Sequence, residues 1–180
     1  MGFLPFHYPF PITHSPLPIP HYPFPSTIYL VVNYSRTMPN LKDDDNALRD
    51  VLIQAKAIAV VGHSDKPNRI SYQIAQFLQR AGYTVYPVNP LVTEIDGQPC
   101  YPSLREIPAS VDIVNIFRRA EYLPEIIEEA IAIKAPTVWA QQGIWNQAAA
   151  QTALSGGLNV IMDACIKIEY LRLGIDAARG

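Results

Sequence analysis

Only two cysteines occur in the 180 residues, Cys100 and Cys165, far apart and outside any C-x-x-C. A disulfide framework is therefore not expected, and a reducing cytoplasm suits the chain. Charge is sparse and balanced, with 14 Lys and Arg against 16 Asp and Glu, a net −2. This balance leaves no basic surface for nucleic acid, no acidic tail and no polybasic membrane patch. No apolar run approaches the length of a membrane span. After residue 37 the only histidine is His63, so a two-histidine metal site is excluded there. The glycine motifs of tightly held nucleotides, G-x-G-x-x-G and G-x-x-x-x-G-K-[ST], are also missing.

Residues 1–35 lack Asp, Glu, Lys and Arg altogether, yet hold eight of the 17 prolines. They repeat every seven residues: HYPFPIT from His7, HSPLPIP from His14, HYPFPST from His21. Prolines this dense rule out the helical apolar core of a signal peptide. A polyproline II ligand segment is one reading. A second accounts for the period. HYPFPIT can be written CATTACC CATTCCC CATTACC, and a seven-nucleotide repeat read through three frames yields a seven-residue protein repeat. On that reading residues 1–37 are a disordered, proline-rich segment translated from upstream repeat DNA. The native start is then Met38, and the folded domain spans 38–180.

Within 38–180, apolar runs alternate with amphipathic stretches. Asp43, Asp44 and Asp45 open a helix that carries Leu48, Val51 and Leu52 and ends near Ala55. Ala57–Val61 is a buried strand. Ser71 is placed to N-cap a helix over Tyr72–Arg80, stopped by Gly82. Thr84–Val88 is the second strand, and Asp96-Gly97 inside EIDGQPCY signals a hairpin. PSLREI makes a short helical turn. Val111–Phe117 is the third strand, Glu121–Ala135 a helix, Thr137–Ala140 the fourth strand, and Asn146–Leu154 a helix closed by Gly156 and Gly157. Asn159–Met162 is the fifth strand, and CIKIEYLRLG follows as a helix or an extended cover. Uniformly apolar strands separated by helices predict a Rossmann-like, doubly wound α/β fold. Its mostly parallel five-stranded sheet has helices on both faces. Ligands of such folds lie beyond the C-terminal ends of the strands, so the segments there are the candidate site.

After the first strand comes GHSDKPNRIS. Gly62 allows a sharp turn and close approach, His63 and Ser64 follow, and backbone N–H groups with the Ser64 hydroxyl can cradle a phosphate. The helix start at Ser71 adds partial positive charge, and Lys66 and Arg69 add full charges. After the second strand stand Val88, Asn89 and Pro90, with no acid before Glu94. An NAD site usually carries Asp or Glu here for the ribose hydroxyl. Phe117, Arg118 and Arg119 follow the third strand, and arginine pairs well with phosphate. Gln141, Gln142 and Gly143 close the fourth strand and suit an amide-rich ligand arm. Trp139 reads as core. Cys165 is a possible reactive thiol, although a buried cysteine is the commoner case. No nucleophile–base pair is evident, and no catalytic residue is assigned.

These words in this order resemble the single-domain CoA-binding protein family: IAVVGHSDKPNRISYQIAQFL, GYTVYPVNP, IDGQPCYPSL, VDIVNIFRR, PTVWAQQGI and VIMDACIKIE. The domain is similar to the N-terminal domain of the succinyl-CoA synthetase α-subunit, over residues from about 43 to 172. The resemblance implies bound coenzyme A or acyl-CoA. Gly62, His63, Ser64, Arg69 and Ser71 would lie along its phosphates and Val88, Asn89 and Pro90 at its adenosine end. Phe117 and Arg118 would line the cleft, and Gln141, Gln142 and Gly143 the pantetheine arm. Two departures each remove a cation: Leu91 where many relatives carry Lys, and Ala164 where many carry Arg. The synthetase's phosphorylated histidine and nucleotide-grasp domain belong to parts outside this module, so fold and cofactor imply no reaction. Two other readings stay open, an NAD(P)-binding redox-sensing domain and an acyl-CoA enzyme acting with a partner subunit.

Overall fold

The computed structural model describes residues 40–176. The proline repeat of residues 1–37 lies outside them.

The elements follow in chain order as α1 Asp45–Gln54, β1 Ala57–Val61, α2 Ile70–Arg80, β2 Thr84–Val88, β3 Glu94–Ile95 and β4 Gln98–Pro99. After these come β5 Ile113–Ile116, α3 Leu123–Ala132, β6 Thr137–Ala140, α4 Gln147–Ser155, β7 Asn159–Ile161 and α5 Ile166–Arg172. Five strands form one parallel sheet in the order β2-β1-β5-β6-β7. The expected Rossmann-like, doubly wound architecture is what the chain adopts. Tyr101 adds a single parallel bridge to Val88 outside β2, through Tyr101 N–H to the Pro87 carbonyl and Asn89 N–H to the Tyr101 carbonyl, both at 2.9 Å. With Tyr101 counted as a strand worn down to one residue, the order becomes the Rossmann 3-2-1-4-5-6. The switch point falls between β1 and β5, where crossovers leave in opposite directions.

The uniformly apolar strands bury both their faces. Ala59, Val61, Val114, Ile116, Val138, Ala140 and Val160 pack with α3 and α4. Ile58, Val60, Ile113, Trp139 and Ile161 pack with α1, α2 and α5. Trp139 is fully buried, and its indole N–H donates to the Ala164 carbonyl at 2.8 Å, so its core assignment holds. The segment after β7 is a helix. Tyr170 of α5 meets Phe77 edge-on at 5.3 Å, and Arg172 reaches Asp45 of α1. The hairpin β3–β4 turns at Asp96 and Gly97, with φ of 52° and 78°, the sign pattern of a type I′ turn. Gln76 of α2 donates to the Asp96 carboxylate at 2.9 Å and Gln79 to Gln98 at 3.0 Å, holding the hairpin against the helix.

Several expected boundaries move: α4 runs Gln147–Ser155 rather than Asn146–Leu154, the fifth strand stops at Ile161 rather than Met162, and α3 starts at Leu123 rather than Glu121. Ser71 is not an N-cap: α2 starts at Ile70 and Arg69 takes the cap position with extended backbone. A turn closed by Arg69 N–H to the Lys66 carbonyl, with Pro67 inside it, delivers the chain to the helix two residues earlier than expected. The third strand shortens to Ile113–Ile116, because the Asp112 carboxylate caps the sheet end by accepting from Lys56 and Ala57 N–H at 2.7 and 2.9 Å. The following helix ends at Ala132 rather than Ala135. There Lys134 turns left-handed, with φ of 58°, while Ala135 N–H returns to Ala130 and Lys134 N–H to Ile131. This is a Schellman ending. The helices α2, α4 and α5 close with the same pair of bonds, but with glycine at the left-handed position: Gly82, Gly157 and Gly174.

Candidate functional site

The site is assembled where β1 and β5 part. Gly62 continues β1 with φ of 84°, a conformation open to glycine, and donates its N–H to the Val88 carbonyl at 2.9 Å. A Cβ at this point would lie 3.1 Å from Arg118 Cδ and 3.4 Å from the Phe117 carbonyl carbon. The loops after β1 and after β5 therefore touch across the switch point. The Arg118 guanidinium lies 4.4 Å from the centre of the Tyr122 ring, a cation–π arrangement that aims the side chain along α3.

The loop from His63 to Arg69 is held from within. The Ser64 N–H donates to Ser71 Oγ at 3.2 Å, and the Lys66 N–H donates to Ser64 Oγ at 3.2 Å. Ser71 thus braces the loop from inside the first turn of α2 and is buried. His63 is buried as well, and its Nδ1 lies 2.9 Å from the Ser64 carbonyl, which makes Nδ1 the protonated nitrogen. Burial lowers the His63 pKa, against a smaller upward pull from that carbonyl and from Asp96. Tyr72 meets the imidazole edge-on at 6.1 Å, and the hydrogen bond to Asp96 raises the Tyr72 pKa. No side chain caps the first turn of α2. Lys66 and Arg69 are exposed and take part in none of the ion pairs among the described residues. An uncapped helix start, with two exposed and unpaired cations in the loop that leads into it, is an arrangement suited to an anion.

The segment after β2 is tied to this loop. Asn89 Nδ2 donates to the His63 carbonyl at 2.8 Å, and Asn89 Oδ1 accepts from Leu91 N–H at 3.0 Å. Gly62, Val88, Pro90 and Arg118 line one cleft of about 110 Å³, together with Tyr122 and Glu125. A larger hollow of about 380 Å³ opens at the opposite end of the sheet, beside Asp50, Gln54, Asp112, Thr137 and Asn159. It lies at the N-terminal ends of the strands and contains neither loop nor helix start of this kind. Ligands of open α/β sheets sit at the other end, so the cleft by Gly62 is the candidate.

Gln141, Gln142 and Gly143 follow β6 and do not line that cleft. Gln141 is buried and donates through Nε2 to Asn115 Oδ1 at 2.6 Å. Gln142 is exposed. The Gly143 N–H donates at 2.8 Å to the Asp163 carboxylate, which also meets Lys42 at 3.0 Å. These two contacts, the Gly143 one first, lower the Asp163 pKa. Phe117 is half-buried and packs with the α1, α2 and α5 face. Cys165 is half-buried just before α5, and burial raises the Cys100 thiol pKa. Among the described residues no group of three His, Cys, Asp or Glu could hold a metal ion.

Sequence reasoning missed Asn115. It lies fully buried in β5, beside Val60 and Trp139 in register, and its Nδ2 has no partner. A lone Asn inside VDIVNIF was the available signal, because a buried amide requires partners. Its partner Gln141 is 26 residues away and adjacent only through the β5–β6 register.

Residues 56–171 match the family described as a CoA binding domain. The chain belongs to this CoA-binding family. The family resemblance drawn from the sequence thus holds. The uncharacterized protein YneT of Bacillus subtilis is 46% identical over 123 residues, covering 68% of this chain and 91% of YneT. A hypothetical protein from Pyrococcus horikoshii OT3 superposes with a TM-score of 0.70 at 37% identity, covering 72% of this chain and 91% of that one. The acetate–CoA ligase (ADP-forming) I of Archaeoglobus fulgidus is 40% identical over 78 residues, which span 43% of this chain but 11% of the ligase. The matched stretch is thus a small part of that enzyme's length. Among the described residues no helix is long and apolar enough to cross a membrane.

Proposed function

We propose that this domain binds coenzyme A or an acyl-CoA at the C-terminal end of its sheet, in a reducing cytoplasm. The β1–α2 loop takes the pyrophosphate. Gly62 lets the backbone approach it, the uncapped start of α2 supplies N–H groups, and Lys66 and Arg69 supply charge. Val88, Asn89 and Pro90 flank the adenosine, and Arg118 closes the cleft. Gln141, Gln142 and Gly143 present the next amide-rich edge to the pantetheine arm. The observation that carries this reading is the loop itself: an uncapped helix start with unpaired cations, seated at the switch point. The family match and the ligase relatives support the choice of ligand. No catalytic residue is assigned. The absence of an acid at the end of β2 argues against NAD, because that position then offers nothing to the ribose hydroxyls.

Thermal unfolding with added ligand tests the reading. Coenzyme A should raise Tm more than NAD, NADP or ATP at equal concentration, because binding to the native state stabilises it by mass action. An equal or larger rise with NAD would overturn it.

A further inference from the structure

In Rossmann sites the end of the second strand lies against the adenosine ribose, and a phosphate carried there is met by a nearby cation. In this domain that end offers a phosphate no cation. Between Arg80 and Arg105 there is no Lys, Arg or His, and the charges present are the acids Glu94 and Asp96. The backbone donors are already engaged: Asn89 N–H on Tyr101, Leu91 N–H on the Asn89 side chain, Val92 N–H on the Asn89 carbonyl. Pro90 has none. The Asn89 carboxamide is used at both ends, on His63 and on Leu91. Two apolar side chains stand out instead, Leu91 at 88% exposure and Ile70, on the first turn of α2, at 69%. Of the nearby arginines, Arg118 lines the cleft by Gly62 and is assigned above to closing it, and Arg119 pairs with Glu121 at 3.3 Å. Lys66 and Arg69 remain, on the loop that faces the pyrophosphate.

Resting on the coenzyme A reading above, we propose that this domain does not read the 3′-phosphate. Its ligand class is the adenosine diphosphate–pantetheine conjugate whether or not that phosphate is present. Dephospho-coenzyme A is then bound as tightly as coenzyme A. Selectivity comes from the pyrophosphate and the arm, while Leu91 and Ile70 offer their surface to the adenine.

Titration calorimetry of the full chain with coenzyme A, dephospho-coenzyme A and NAD tests this. The two coenzyme A forms should give Kd values within about threefold of each other, well short of the roughly tenfold that one charge-assisted hydrogen bond supplies. Lys66→Ala should weaken both forms by the same factor. Leu91→Lys should shift the preference toward coenzyme A. A wild-type preference for coenzyme A of about tenfold or more, the size of one such bond, would overturn the proposal. So would a Lys66→Ala loss confined to coenzyme A, because Lys66 would then be holding the 3′-phosphate. If neither form binds, the coenzyme A reading fails and this inference fails with it. If both bind unequally, only this inference fails.

Discussion

Arg118 Cδ stands 3.1 Å from the point a Cβ would occupy on Gly62. The turn just after β1 and the loop just after β5 are therefore fitted to one another, with no room for a side chain at Gly62 while Arg118 keeps its place. Gly62→Ala would force a left-handed alanine against that arginine stem. It should cost about 1–2 kcal/mol from backbone conformation alone, read by denaturant unfolding. It should also weaken coenzyme A binding, because the loop's approach is altered. Unchanged stability would mean that the loop re-forms with a different path.

Arg69→Ala and Arg118→Ala should each weaken coenzyme A binding by about 1–3 kcal/mol, the range for a lost charge-assisted hydrogen bond. Arg69 is exposed, and its removal should leave unfolding unchanged. Removing Arg118 also loses its contact with Tyr122, so stability should fall by up to about 1 kcal/mol. Unaltered affinity in both variants would assign these arginines to the solvated surface.

Lys134→Gly should stabilise the domain. Three of its helices put glycine at the left-handed position of the same ending, whereas α3 puts Lys134 there with φ of 58°. Relief of the left-handed cost, less the entropy glycine adds to the unfolded chain, leaves about 0.5–1 kcal/mol. A shift in the denaturant midpoint at constant m-value reads this directly.

This ending also marks the limit of what the sequence discloses. Ala57–Val61, Thr84–Val88 and Thr137–Ala140 were legible to the residue, because apolar runs are bounded there by glycine, proline or polar turns. The end of α3 was not, because no glycine announces it. Ser71 resembled a cap, yet its hydroxyl serves Ser64, seven residues earlier, and the preceding turn starts the helix at Ile70. Of the site, the loop after β1 and its tie to Asn89 lie at chain positions a strand-end rule can find. The Asn115–Gln141 pair and the Tyr101 bridge exist only through strand register, which single-sequence patterns do not carry.

Stability should depend on pH through His63. Burial places its folded pKa below the ordinary value of 6.5, so the unfolded chain takes up the proton first. The His63 contribution is full above about 6.5 and is lost as pH falls below it toward the folded value. Replacing His63 by Gln should flatten the stability–pH curve between about pH 5 and 7, the range in which an imidazole titrates. A slope unchanged in the variant would place the dependence on other groups.

A chain begun at Met38 should unfold within about 1 kcal/mol of the full chain, less than one substantial mutation costs, and should bind coenzyme A equally. It keeps Asn40, whose carboxamide donates to the Met162 carbonyl and accepts from the Met162 N–H, both at 3.0 Å. Asn40→Ala should cost about 1–2 kcal/mol, since two hydrogen bonds to backbone are lost. A larger loss on removing residues 1–37 would make that segment structural and confine the repeat-DNA account to its origin.

The Asn40 amide pair has a counterpart across the molecule in the Tyr101 bridge. An open parallel sheet has two border strands, and unpaired peptide groups on a border can recruit a strand from another chain. Here a side-chain amide occupies the peptide after β7, and one tyrosine backbone occupies the far end of β2, where Pro87 has already removed a donor. Both borders are blunted by a single residue near the ligand end. Among the described residues, one residue at each border thereby guards the ligand end of the sheet against edge-to-edge pairing.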